Sequence, residues 1–301
     1  MKQLKSYFVV TALAAASVAT ANLLVPDFSG DRVMLFSSQD GSLIDENFIT
    51  DEGAVGWQFS SPKAALDLGN GEIWVTDQLE DSVFRFDYSG NYLGGITEGL
   101  DNVRGIRVIG DQVWVLNGGS NNDAPGTSVI RLDFDGNNLG FFALPESSWD
   151  VAPHGDNVLI SDWGNDDLME YDLDGNFIGN FTNHSNLFNP QQINQDGENY
   201  LVGGFGAPES AIYQYAADGT LLNSWAEGFG PRAAYRLGNG DILWTKGDGV
   251  FVLDPSTDTF FAAQSGANAQ YISYTAVPEP ATMLALAAGL GLLAARRRNR
   301  K

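Results

Sequence analysis

Cysteine is absent from the 301 residues, which removes disulfide frameworks, thiol nucleophiles and thiolate metal sites together. Histidine occurs only twice, as His154 and His184, so imidazole chemistry has few places to sit. Positive charge is scarce as well, with 16 Lys and Arg against 38 Asp and Glu and a formal net charge of −22. The imbalance is sharper between the two ends. All 38 acidic residues fall within residues 22–280, whereas seven of the 16 basic ones (Lys2, Lys5, Arg296, Arg297, Arg298, Arg300 and Lys301) fall outside, leaving nine cations and a formal −29. Such a surface repels a phosphate backbone and excludes nucleic acid as a partner. What the chain does have is 44% hydrophobic and 12% aromatic residues with 18% charged, near the globular average, so most of it has the material for a core.

The ends read as addresses. A basic start (Lys2, Lys5), an apolar stretch from Tyr7 to Ala19, and Ala19-Thr20-Ala21 before Asn22 form a secretory signal peptide over residues 1–21. That stretch is apolar all round, unlike the one-faced stripe of a buried amphipathic helix. At the other end Val277-Pro278-Glu279-Pro280 precedes fifteen apolar or small residues, Ala281 to Ala295, and then the cluster Arg296-Arg297-Arg298-Asn299-Arg300-Lys301. Fifteen residues at about 1.5 Å each fall short of a full bilayer crossing, although snorkelling arginines extend the reach. The positive cluster stays on the cytoplasmic side.

The order Pro278, Glu279, Pro280, apolar helix, then Arg296, Arg297 and Arg298 resembles the PEP-CTERM sorting signal of Gram-negative bacteria, over residues 277–301. The resemblance implies an exosortase as partner and an inner-membrane intermediate held through the C-terminal helix. It also implies cleavage near the motif and release to the cell surface or extracellular matrix. It says nothing of what the cargo does.

Between the addresses one unit recurs. Ser82-Val83-Phe84-Arg85-Phe86-Asp87-Tyr88-Ser89-Gly90-Asn91-Tyr92-Leu93 sets period-two apolar residues on both sides of a polar-Gly turn, the pattern of a β-hairpin. It returns at residues 129–139 around Asp135-Gly136, at 168–178 around Asp174-Gly175 and at 212–222 around Asp218-Gly219. Residues 32–44 carry Asp40-Gly41 and residues 250–260 carry Asp254-Pro255-Ser256-Thr257, which makes six hairpins. Each hairpin after the first follows two more strand-like runs. These are 64–68 with 73–76, 105–109 with 113–116, 151–152 with 158–161, 192–195 with 200–203, and 233–237 with 242–245. Four short antiparallel strands in about 43 residues make one propeller blade.

Leu23-Leu24-Val25-Pro26-Asp27 aligns with the second strand of the later units, so the first blade lacks an innermost strand. The run Gln270-Tyr271-Ile272-Ser273-Tyr274 follows the sixth hairpin without a blade of its own. Paired into the first blade it closes the ring and removes two open edges. The expected fold is an all-β six-bladed propeller over residues 22–276. Thr76-Asp77 to Phe86-Asp87, and Pro62-Lys63-Ala64-Ala65 before Gly69-Asn70-Gly71, resemble NHL-type six-bladed repeats. That resemblance spans most of residues 22–275 and bears on fold rather than function.

Candidate chemistry is sparse. Asp133-Phe134-Asp135-Gly136-Asn137 and Asp172-Leu173-Asp174-Gly175-Asn176 are similar to calcium loops, but glycine comes fourth rather than sixth and no glutamate stands at the twelfth position. Turn chemistry accounts for them without a metal. The denser loop Asp162-Trp163-Gly164-Asn165-Asp166-Asp167 makes Asp162 and Asp166 weak candidates for a surface cation such as calcium. Six-bladed lactonases and related hydrolases hold a divalent cation in the axial channel; the inner strands here offer Asp150 and Asn194 and no matching Glu. Ser147, Ser148 and His154 form no recognisable triad. No cofactor is called for, and a non-enzymatic role is the favoured reading.

The leading ends of the inner strands put Lys63, Arg104, Trp149, Gln191, Arg232 and Gln270 at one repeat position. Equivalent positions of a propeller form a ring. Three of the nine basic residues thus meet around the axis, either as ordinary rim residues or as a mouth for an anionic or hydroxylated ligand, with Trp149 as a stacking platform. Their compensation falls to Asp67 and Asp150 or to a bound anion. The function expected is a surface or matrix binding module for polysaccharide or protein. A metal-dependent lactonase or hydrolase, and a purely structural matrix protein, are the alternatives.

Overall fold

In the six hairpin units the apolar residues of the second and third strands alternate toward neighbouring blades, so each unit needs a partner on both sides. A closed ring is the arrangement that supplies them. The computed structural model describes residues 22–182 and 187–276, and within them every sheet is four-stranded and antiparallel, six sheets in all. The signal peptide, His184 and the sorting signal lie outside the described residues.

The inner strands are Pro62–Asp67, Val103–Ile109, Ser148–His154, Pro190–Asp196 and Ala233–Arg236 in blades 2 to 6. Blade 1 takes its inner strand, Ser273–Thr275, from the C-terminal end of the ring, against Asn22–Asp27. Asn22 pairs with Thr275 and Leu24 with Ser273, and an isolated bridge joins Asp27 to Ala269. The pairing is shorter than the sequence pattern suggests because Tyr271 leaves the ladder, its N–H donating to the Lys63 carbonyl of the neighbouring blade 2 at 3.2 Å.

All six inner strands run from one face of the ring to the other. Lys63 and Gln270 stand at the starting face, the mouth. Asp67 and Thr275 meet at the opposite face, where the Thr275 hydroxyl donates to Asp67 at 2.8 Å. Since Asn22 pairs with Thr275, both residues lie at the face opposite the mouth.

The mouth face is stitched by a repeated device. The residue ending each of the first four second strands turns its side chain onto the loop beside it: Asp27, Asp77, Asn117 and Asp162. The Asp77 carboxylate accepts from the backbone N–H groups of Ser60, Ser61, Leu79 and Glu80 at 2.8–3.1 Å. Burial raises its pKa even so. Asp162 accepts from Gly164 and Asn165 in the same way. Carboxylates do this because a loop held at a strand end has backbone donors that a buried site cannot leave unpaired.

Candidate functional site

The structure brings all six sequence-predicted mouth residues to the axis and buries most of them. Lys63 is 4% exposed, Gln191 2%, Gln270 6% and Arg104 7%; Trp149 and Arg232 are half-buried. Lys63 Nζ donates to Gln191 Oε1 at 3.1 Å and to Gln270 Oε1 at 2.9 Å. It also lies 4.7 Å from the Trp149 ring centroid and 4.5 Å from that of Tyr271. Arg104 donates to Ser147 Oγ and to the Ser148 carbonyl at 2.8 and 2.6 Å and also lies over the Trp149 ring, 4.2 Å from its centroid. Arg232 donates to Asn268 Oδ1 and to the Ala269 carbonyl.

The two expected carboxylates are engaged elsewhere. Asp67 is at the far end of its strand, bonded to Tyr88 and Thr275. Asp150 is committed to Arg107, 2.9 Å away, and to the Ile193 N–H at 3.0 Å. Arg32, Arg85, Arg107, Arg236 and Lys246 each pair with a carboxylate. Among the described residues Lys63, Arg104 and Arg232 have no ion pair; amide oxygens, carbonyls and aromatic faces hold them instead. These neutral partners offset desolvation only in part. Burial, and then the fields of Arg232 and Arg104, push the Lys63 ammonium well below the usual lysine range, with Asp150 acting weakly in the opposite sense.

A stability signature follows from that direction. With its folded pKa below its unfolded one, Lys63 holds fewer protons folded than unfolded once pH passes the folded value, so its burial penalty shrinks as pH rises toward the unfolded pKa of about 10.4. Compared with Lys63→Met, the native protein is expected to gain denaturant stability from neutral pH to about pH 9.5. Beyond that, tyrosines whose folded pKa is raised, Tyr271 among them, lower the stability of both proteins as they ionise in the unfolded state. Parallel pH profiles of the two proteins would contradict the uncompensated burial of Lys63.

The mouth itself is a dish of about 230 Å³ lined by aromatic and amide side chains together with Lys63 and Arg232. Trp149 stacks on Trp163 with centroids 4.5 Å apart, and Phe205 lies parallel beyond Trp163 at 6.2 Å. Arg232 caps the row, 5.7 Å from Phe205. The sequence reading missed Trp163, Phe205, Phe28 and Gln78, and a signal existed. Each follows the last residue of a second strand, after Asp162, Gly204, Asp27 and Asp77, so they form a second repeat-equivalent ring just outside the first.

The floor of the dish is closed. Arg107 reaches across to Asp150 and to the Val151 and Ile193 carbonyls, while Tyr271 donates to Gln191 Oε1 at 3.2 Å. Asn194 turns its amide NH₂ onto the Gln192 side chain and the Ala234 and Ile272 carbonyls, so it and Asp150 face different partners rather than one point. Asp166 accepts from the Asn189 N–H, and Asp162 serves as the loop stitch described above. The turn carboxylates Asp133 and Asp172 are filled by the N–H groups and side chain of Asn137 and Asn176. His154 ends its inner strand, at the face away from the dish, against Tyr200 and Phe181. Ser147 Oγ accepts from Arg104, and Ser148 Oγ donates to the Glu146 carbonyl.

One glycine is required for this packing. A Cβ on Gly105 would lie 2.4 Å from Asp150 Oδ1 and 2.7 Å from the Trp149 carbonyl. Gly105→Ala is expected to cost about 1–3 kcal/mol by forcing the two inner strands apart, read as a drop in melting temperature. An unshifted midpoint would mean the strands do not approach this closely.

These features define a six-bladed β-propeller with a closed axis and an aromatic, cationic dish on one face. Residues 276–300 match the PEP-CTERM protein-sorting motif, which implies export, exosortase processing and membrane-associated sorting to the cell surface. No curated protein matches the chain in sequence. Among solved structures, a catalytically inactive virginiamycin B lyase from Staphylococcus aureus with quinupristin is similar at 11% identity, with 86% of this chain and 93% of that one covered and a TM-score of 0.58. A nidogen/laminin complex gives 14% identity, 84% and 98% coverage and a TM-score of 0.59. A protein of unknown function from Bacteroides caccae gives 11%, 85% and 98%, and 0.58. At these identities the likeness concerns the propeller fold.

Proposed function

We propose that this exosortase-sorted propeller is a binding module of the cell surface or extracellular matrix whose dish takes a polysaccharide. The observation that carries the reading is the row Trp149, Trp163 and Phe205 beside four side-chain amides and two cations in one depression. Flat aromatic faces take the C–H surface of a sugar ring, while amides and cations take its hydroxyl and acidic groups. Asn22 and Thr275, the first and last paired residues of the ring, lie at the face opposite the dish. A hydrolytic reading has less support, because Asp150 and Asn194 are occupied by internal partners.

A glycan array and matrix pull-down with the purified secreted protein test this. Saturable binding to a polysaccharide, weakened at least tenfold by Trp163→Ala, is the expected result. No binding to any saccharide or matrix fraction overturns it.

A further inference from the structure

The dish is small and its surroundings are of the opposite charge. About 230 Å³ is below the roughly 300–1,000 Å³ of pockets for drug-sized ligands, so it has room for one sugar ring rather than a length of chain. No carboxylate lines it. Around it, however, the loops of the same face carry the exposed residues Asp123, Glu146, Glu209, Glu227 and Asp248. Within the dish, Arg232 Nε and Nη2 make no hydrogen bond among the described residues, since both of its bonds come from Nη1. Lys63 uses two of its three donors.

Resting on the polysaccharide reading, we infer that the ligand is the single acidic residue at the end of an otherwise neutral glycan, a terminal uronate or similar carboxylate sugar. Its carboxylate meets Arg232 and Lys63, and its ring lies against Trp163 and Phe205. A polyanion is disfavoured by the same geometry. Only one of its carboxylates reaches the cations, and its neighbours lie against the acidic loops, where like charges repel.

Four probes decide this by calorimetry with the secreted protein. They are an oligosaccharide with one terminal glucuronate, its methyl ester, the neutral glucose-ended analogue and polygalacturonate. The terminal uronate should bind at least tenfold more tightly than the ester, the neutral analogue and polygalacturonate per chain, and Arg232→Gln should erase the preference over the ester. Equal binding of acid and ester, or tightest binding by polygalacturonate, overturns the terminal-acid inference while leaving a saccharide site. Binding of none of the four overturns it as well, and the array above then shows whether another saccharide occupies the dish.

Discussion

Removing residues 268–276 should unfold the whole ring rather than loosen one blade. The segment is short, but Ala269, Tyr271 and Ile272 are fully buried. Its backbone is tied to residues on both sides of the seam. The Phe28 N–H donates to the Asn268 carbonyl, the Gln270 N–H to that of Pro26 and the Tyr271 N–H to that of Lys63. The Thr245 hydroxyl of blade 6 donates to the Gln270 carbonyl at 2.5 Å, and Arg232 to that of Ala269. Burying a large apolar side chain contributes about 1.5–3 kcal/mol, and each buried donor or acceptor left unpaired costs about 1–3 kcal/mol. Together these losses approach the roughly 5–15 kcal/mol that holds a typical fold. Circular dichroism and size-exclusion chromatography should show loss of the cooperative transition. Tyr274→Ala, in the same segment but with the side chain 52% exposed, should change stability by less than about 1 kcal/mol. A truncated protein that melts within a few degrees of the parent would show that the seam is not closed by this strand.

The sixfold architecture was legible because hairpin turns carry their own chemistry. Gly41, Gly90, Gly136, Gly175 and Gly219 all have positive φ, between 74° and 92°, and the strands around them alternate. Two inner strands were read too short for a physical reason. Residues 151–152 stood out as apolar in blade 4, yet the strand is Ser148–His154, and Pro190–Asp196 likewise exceeds the expected 192–195. At the axis a strand faces other strands' polar groups, so Gln191, Gln192 and Asn194 are buried with partners and hydropathy stops marking the strand. Repeat alignment located Lys63, Arg104, Trp149, Gln191, Arg232 and Gln270 because it depends on phase rather than on hydropathy. It could not show that their partners are neutral, since that depends on how far each side chain reaches across the axis.

The closed floor gives the second large effect. Asp150, 1% exposed, and Arg107, 19% exposed, bridge blades 4 and 3 at 2.9 Å. Burial raises the Asp150 pKa, and Arg107 works against that shift. Asp150→Ala leaves the guanidinium half-enclosed without its carboxylate and deprives the Ile193 N–H of its acceptor. Breaking one partner of a buried pair typically costs about 3–5 kcal/mol. The lower end is expected here, because Arg107 keeps its bonds to the Val151 and Ile193 carbonyls. Asp150→Asn separates charge from shape: it should recover part of the loss by keeping a side-chain oxygen for Ile193, and not the part due to the unpaired cation. Arg107→Met combined with Asp150→Ala removes the cation as well, and apolar replacement of a buried pair is often neutral, so the double variant should be more stable than Asp150→Ala alone. Urea unfolding of the native protein, Asp150→Ala, Arg107→Met and the double variant closes the cycle. Strict additivity would mean that the two side chains do not depend on each other, and that the floor of the dish rests on backbone contacts instead.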